Sequence, residues 1–231
     1  MTYMDTMKII KTLIIRFANP IRSKDIPFFR GAVIQSLEQK NILFHNHTEN
    51  GFRYSYPLIQ YKSLGGKAAI VCVDNGTEAI GEIFNNLQFS FTIKENTYKA
   101  EMEDIRAFQT TVECSDTLFH YTIKKWLPLN STNYAIYSST ESIATHIDIF
   151  ERVLIGNIIS FLKGVDIHID DKILLSITNI DNQRIVKYKG VSLMSFDIAF
   201  NSNFHLPNFI GLGKGTSIGF GVLQLKNKNQ S

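Results

Sequence analysis

Residues 8–37 read KIIKTLIIRFANPIRSKDIPFFRGAVIQSL, and their reading decides the fold class. The run 8–17 is short and rich in isoleucine, which predicts a strand. Residues 18–25 make a loop around Pro20. Asp25, placed ahead of Pro27, reads as an N-cap before a proline in a first helical turn. Phe28, Ala32, Ile34 and Leu37 recur at helical spacing, although Gly31 lowers the intrinsic propensity. The helix is expected to end near Asn41. A strand feeding directly into a helix is the opening of a βαβ unit.

The pattern continues outward from that start. Residues 43–47 are extended or a turn, and Asn50-Gly51 is a strong turn signal that can close a hairpin. Residues 52–61 (FRYSYPLIQY) read as a strand, with Pro57 confining it to an edge or bulge. Gly65-Gly66 is another turn. Residues 68–73 read as a strand, 74–85 as a cap and short helix, and 87–93 as a strand. This order matches a split βαβ, ferredoxin-like unit with one additional strand. In the second half, residues 120–125 read as a strand, and a loop runs through Pro128 and residues 130–133. Ile143, Ile147, Phe150, Leu154, Ile158 and Phe161 then recur at spacings of three and four over a helix at 143–162. Lys163-Gly164 stops it. Strands follow at 172–177, 186–188, 191–200 and 219–225. The expected class is α+β, with domains at residues 1–116 and 117–231 and a linker near 114–118.

A chain of 231 residues that is 44% hydrophobic and 19% charged buries a core without staples and is not disordered. No run approaches the 18 apolar residues of a transmembrane helix, and MTYMDTMKII lacks the pattern of a secretory signal. Met7 is a candidate natural start, with residues 1–6 as an extension. The two cysteines, Cys72 and Cys114, form no CxxC pair, so reduced thiols and a cytoplasmic location are expected. The net charge of +3 divides into +6 over residues 1–70, −6 over 71–116 and +3 over 117–231. Such polarity is compatible with a basic face that attracts nucleic acid, or with an ordinary solvated surface.

Three constellations carry chemistry. The first is Gly211-Leu-Gly213-Lys214-Gly215-Thr-Ser217-Ile-Gly219-Phe-Gly221, with five glycines in eleven residues. It is not a P-loop, because GxxxxGK[ST] and a following helix are missing. Gly215-Thr-Ser217-Ile-Gly219 matches GxSxG, yet no histidine follows Ser217. A basic loop whose N–H groups meet phosphates, or a glycine-rich turn without a ligand, remains. The second is His45-Asn-His47. In an extended chain both imidazoles face one side and can serve as base and acid; two surface histidines are the alternative. Metal binding would need a further ligand with convincing spacing, which the neighbourhood does not offer. The third is Tyr54, Tyr56 and Tyr61 with Arg53 and Lys62, suited either to base stacking or to packing. His120, His146, His168 and His205 are isolated and read as structural.

The terminal GLGKGTSIGFGVLQL resembles the glycine-rich loop and last strand of the repeat-RNA-processing endoribonucleases of CRISPR systems. The His45-x-His47 pair after the first helix, Tyr54, and the segments FFRGAVIQSL and YSYPLIQYK are similar to the subtype-b branch of that family. The resemblance implies tandem ferredoxin-like, RRM-related domains. It implies metal-independent, cofactor-free cleavage of CRISPR repeat RNA by attack of the ribose 2′-OH, leaving 2′,3′-cyclic phosphate and 5′-OH ends. His45 and His47 would be the acid–base pair and Tyr54 would assist. Arg53, Gly211, Gly213, Lys214, Gly215, Gly219 and Gly221 would contact RNA. The implied partners are pre-crRNA, subunits of a CRISPR effector complex and a second copy of the chain, with no membrane. No lysine directly follows the histidines, so the charge-stabilising cation comes from elsewhere, with Arg53 and Lys214 as candidates. An inactive repeat-RNA-binding subunit of the same fold is the alternative.

Overall fold

The computed structural model describes residues 7–36, 47–48, 51–52, 56–78, 81, 89–93 and 95–226. The chain divides into two units. The first comprises Ile9–Thr110 and also takes in Ser217–Gly219; the second is built on Thr111–Thr216 and the final strand.

In the first unit, β1 (Lys8–Pro20) leads through a 3₁₀ turn (Ser23–Asp25) into α1 (Ile26–Ser36). The strand runs to Pro20, beyond the loop boundary expected at residue 18. Asp25 precedes the helix as expected, but its carboxylate accepts from Arg22 Nε at 2.8 Å. The short ladder of β2 (His47–Thr48) and β3 (Gly51–Phe52) follows, then β4 (Ile59–Leu64) and β5 (Lys67–Val73). A 3₁₀ turn (Asp74–Thr77), the ribbon β6 (Ser90–Ile93) with β7 (Asn96–Lys99), and β8 (Met102–Val112) complete it. The sheet order is β4-β5-β1-β8: second, third, first and fourth strands of the main sheet, the ferredoxin-like arrangement. Ile15 and Phe17 of β1, Phe29 and Val33 of α1, and Tyr61 and Ile70 are buried together. Phe29 sits edge-on to Phe17 and Phe91, each at 5.3 Å, a geometry that adds to the area term.

The second unit repeats the plan. β9 (Cys114–Trp126) is followed by α2 (Ser131–Ser138), α3 (Ile143–Gly164), the hairpin β10 (Leu175–Tyr188) and β11 (Val191–Phe204), and β12 (Val222–Leu225). The sheet order β10-β11-β9-β12 is again second, third, first, fourth. Ser142 caps α3 by accepting from Thr145 N–H at 3.3 Å. Phe150, Leu154, Ile158 and Phe161 are buried on one face, as their spacing predicts, whereas Ile143 is exposed. Trp126, Phe150 and Phe196 form the centre of this core.

Several local expectations are corrected. Residues 114–118, expected as a linker, begin β9, and only Glu113 separates β8 from β9. The polar run at 130–133 is not a loop: Asn130 accepts from Asn133 N–H at 2.8 Å and starts α2. β8 went unread because, at the end of its sheet, it exposes residues on both faces and shows no clean alternation. β10 is a single strand across residues read as two short ones; irregular register at residues 177–179 and 181–184 breaks its periodicity. No helix among the described residues is long and apolar enough to cross a membrane.

Candidate nucleic-acid interface

The glycine-rich segment connects β11 to β12. Gly211 bridges antiparallel to Val222. Leu212 N–H donates to Gly221 O at 2.8 Å, and Gly221 N–H donates to Lys125 O at 3.2 Å. Phe220 N–H closes the inner loop on Gly215 O at 3.2 Å. Two glycines are demanded by the protein itself. At Gly221 (φ +62°) a Cβ would lie 2.0 Å from Leu212 O. At Gly213 (φ +89°) it would lie 2.7 Å from Asn157 Oδ1 and 3.0 Å from Trp126 Nε1, a pair hydrogen-bonded to each other at 2.9 Å. Close packing therefore accounts for these glycines without a ligand, a reason the composition alone left open. Gly215 lies against the Tyr188 and Phe220 rings, which meet edge-to-face at 5.8 Å. The far end of the loop belongs to the first unit. Ile218 packs on its core, and a Cβ on Gly219 would be 3.3 Å from Tyr61 O.

Lys214 is exposed in this loop. Tyr188 ties the loop to the tip of the β10–β11 hairpin, where Lys187 and Lys189 are exposed. Lys189 Nζ lies 5.8 Å from the centre of the Tyr188 ring. A second group of cations gathers around buried Asp197. Its carboxylate accepts from Lys125 N–H at 2.7 Å and from Arg184 Nη2 at 2.9 Å, and Lys124 Nζ lies 3.6 Å away. Burial first, and then the Arg184 charge, lower the Lys125 pKa, and Asp197 opposes them. Lys124, Arg184, Lys187 and Lys189 were missed in the sequence because interleaved aspartates bring residues 117–231 to only +3. The usable signal was Lys187-Tyr-Lys189-Gly190: cations at i and i+2 ahead of a turn glycine.

The first half places its expected residues differently. His47 is extended and pairs antiparallel with Phe52, with Thr48 opposite Gly51; Asn50 of the expected turn lies outside the described residues. His45, Arg53 and Tyr54 lie outside the described residues. Tyr61 is fully buried, edge-on to Phe29 at 6.1 Å, and Tyr56 is buried and accepts from Gln60 Nε2 at 2.8 Å. Both are packing residues. Lys62 is completely buried, and its Nζ has no hydrogen-bond partner among the described residues; burial lowers its pKa to about 7. Of the isolated histidines, His120 Nδ1 pairs with Asn201 Oδ1 at 2.6 Å, His146 Nε2 lies 3.0 Å from the carbonyls of Tyr137 and Thr140, and His205 Nδ1 lies 3.0 Å from Thr111 O.

Comparison with known proteins covers both units. The family model of the Cas6b N-terminal domain matches residues 7–111, and that of the Cas6b C-terminal domain matches residues 113–225. An uncharacterized protein of Methanocaldococcus jannaschii is 28% identical over 143 residues, which are 62% of this chain and 95% of that protein. Among solved structures, a crystal structure of Cas6b superposes with a TM-score of 0.83 at 24% identity, covering 95% of this chain and all of that one. A crystal structure of the CRISPR RNA processing endoribonuclease Cas6b gives 0.71 at 23% identity, with the same coverage. A RAMP protein described as binding different RNA substrates gives 0.50 at 12% identity, covering 95% of this chain and 99% of that one. At these identities the structural likenesses establish the fold.

Proposed function

Because the chain belongs to the Cas6b family, we propose that it is an endoribonuclease that cleaves CRISPR repeat RNA to mature guide RNA, without a metal. The observation that carries this reading is the match of both Cas6b domains, which together run from residue 7 to residue 225. The basic rim of Lys124, Arg184, Lys187, Lys189 and Lys214 supports it, since phosphate attraction supplies the non-specific part of RNA affinity.

The nucleophile is the ribose 2′-OH beside the scissile phosphate. One histidine of His45 and His47 takes its proton as the oxygen attacks phosphorus. The other protonates the departing 5′-oxygen, and the products carry a 2′,3′-cyclic phosphate and a 5′-OH. His47 is extended, and an extended segment sends residues two apart to the same side. An extended segment through residue 45 would put both imidazoles on one side. Tyr54 assists, and cations or backbone N–H groups of the glycine-rich loop stabilise the charge on the crowded phosphorane.

The test is a repeat RNA with a single 2′-deoxy substitution just upstream of the scissile phosphate. It should bind with unchanged affinity and stay intact, with and without EDTA. Cleavage at the normal rate would rule out 2′-OH attack. Binding of the unmodified repeat with no cleavage at all would instead identify a silent RNA-binding subunit.

A further inference from the structure

We propose that Arg30 is the phosphate-binding cation of the first unit and that the Tyr61 hydroxyl holds it for that task, so that the pair takes one phosphate of the repeat RNA. Arg30 sits in the middle of α1 and is partly buried, with its Nε shut away from solvent and without a hydrogen-bond partner among the described residues. No carboxylate among those residues pairs with it. The helix itself, IPFFRGAVIQS, holds no acidic residue. The carboxylate just ahead of it, Asp25, is taken by Arg22 at 2.8 Å. A guanidinium half withdrawn from water with nothing to balance it costs stability, and an anion offsets that cost.

Tyr61 lies beside it on β4. Its ring packs edge-on to Phe29, yet its hydroxyl oxygen is buried and, among the described residues, has no partner either. Burial raises the phenol well above its ordinary range, and Arg30 is close enough for its charge to oppose that shift. The phenol stays protonated, and its oxygen is an acceptor left beside a group that can only donate. Two orphaned polar groups on facing elements are not explained by packing alone. By accepting from Nε, the phenol oxygen fixes the guanidinium with its Nη groups outward, the fork that matches two oxygens of a phosphate. Gly31 keeps the approach low. Nothing lies within 4 Å of where its Cβ would be, so packing does not require a glycine in this helix, whereas close approach of a ligand to the backbone does. The anion is assigned as an RNA phosphate because repeat RNA is the substrate of the proposed function, on which this inference rests.

The test measures the affinity of the full-length protein for unmodified repeat RNA across a salt series. Arg30→Met keeps the aliphatic bulk and removes the charge. It should weaken binding about tenfold to a hundredfold and lower the slope of log affinity against log salt by about one. Arg30→Lys should restore the slope but not the full affinity, since an ammonium cannot offer the fork. Tyr61→Phe removes an orphaned hydroxyl, so it should withstand more denaturant than wild type. It should nevertheless bind RNA about threefold to tenfold more weakly, with the slope unchanged. In the Arg30→Met background the same change should have no further effect on binding, because the phenol acts only through the arginine. A purely structural tyrosine would not produce that dependence. Wild-type affinity and slope in Arg30→Met would overturn the proposal. So would wild-type affinity in Tyr61→Phe, or a Tyr61→Phe loss of equal size in both backgrounds. Failure of the nuclease reading looks different: wild type that binds the repeat without cutting it leaves the phosphate site standing, and wild type that does not bind the repeat refutes both.

Discussion

The two units share a strand order and differ in what joins the third strand to the fourth. In the first, the connection holds a 3₁₀ turn and the β6–β7 ribbon that packs on α1. In the second, it holds the glycine-rich loop and a single 3₁₀ turn, Thr216–Ile218. The units also treat their cations differently. The first buries Lys62 without a partner among the described residues, whereas the second displays Lys187, Lys189 and Lys214. Strand order follows from burial and handedness and is cheap to repeat. The crossover is where two copies of one plan diverge, and under the proposed function one copy would carry proton transfer while the other would hold the backbone of the RNA.

That division of labour is broken most directly at the histidines. His45→Ala and His47→Ala should each lower single-turnover cleavage by about 10²–10⁴-fold while RNA affinity changes little. Tyr54→Phe should cost less than either. The pH–rate profile should bend around pH 6–7, where imidazoles titrate. Full activity in the double variant would remove proton transfer from the first half.

The glycine-rich crossover is tested against a glycine with room. Gly221→Ala drives a Cβ to 2.0 Å from Leu212 O at φ +62°. It should cost about 3 kcal/mol or more, from backbone strain together with overpacking. Gly190, at φ +82° in the hairpin turn, has nothing within 4 Å of such a Cβ, so Gly190→Ala should cost only about 1–2 kcal/mol. Equal shifts in chemical denaturation would mean that the loop relaxes and does not constrain the fold.

The contrast in cations gives a pH prediction for the first unit. Burial lowers Lys62 from its ordinary 10.5 to about 7. Between those values the unfolded chain holds a proton that the folded chain has released, so stability rises with pH, by up to about 1.4 kcal/mol per pH unit. Below about pH 7 both states are protonated and the folded state bears the whole cost of a buried ammonium. Lys62→Met should therefore be more stable than wild type at pH 6, with the gain shrinking as pH approaches 10. Parallel denaturation curves for the two proteins across that range would show that the ammonium finds a partner. The smallest effect belongs to the second unit: Lys214→Ala should reduce the slope of log affinity against log salt by about one. An unchanged slope would place Lys214 away from phosphate.

The fold was legible where burial imposes a period. The apolar face of α3 and the β1-to-α1 opening could be read residue by residue, because one side of each packs on a core. Edge elements were not legible: β8 faces solvent on both sides, and α2 begins on an asparagine cap that looks like any polar loop. The basic rim was hidden for a different reason. Arg184 and Lys124 come together only around Asp197, which lies on another strand, so a charge sum along the chain cancels what the fold separates. Glycines were recognisable as special, but their cause was not. The carbonyl that forbids a side chain at Gly221 is nine residues away, and the Trp126–Asn157 pair under Gly213 comes from two distant elements.

Ser217–Gly219, three residues near the end of the chain that complete the first unit, impose an order on biosynthesis. Ile218 emerges from the ribosome 108 residues after Thr110; at roughly 5–20 residues per second this is a delay of about 5–20 s. During that interval the first unit lacks a side chain that packs against its core. The apolar surface that Ile218 covers stays open until then. A chain released before residue 219 would keep that defect, which gives chaperones and proteases a physical mark by which to tell a finished molecule from an unfinished one.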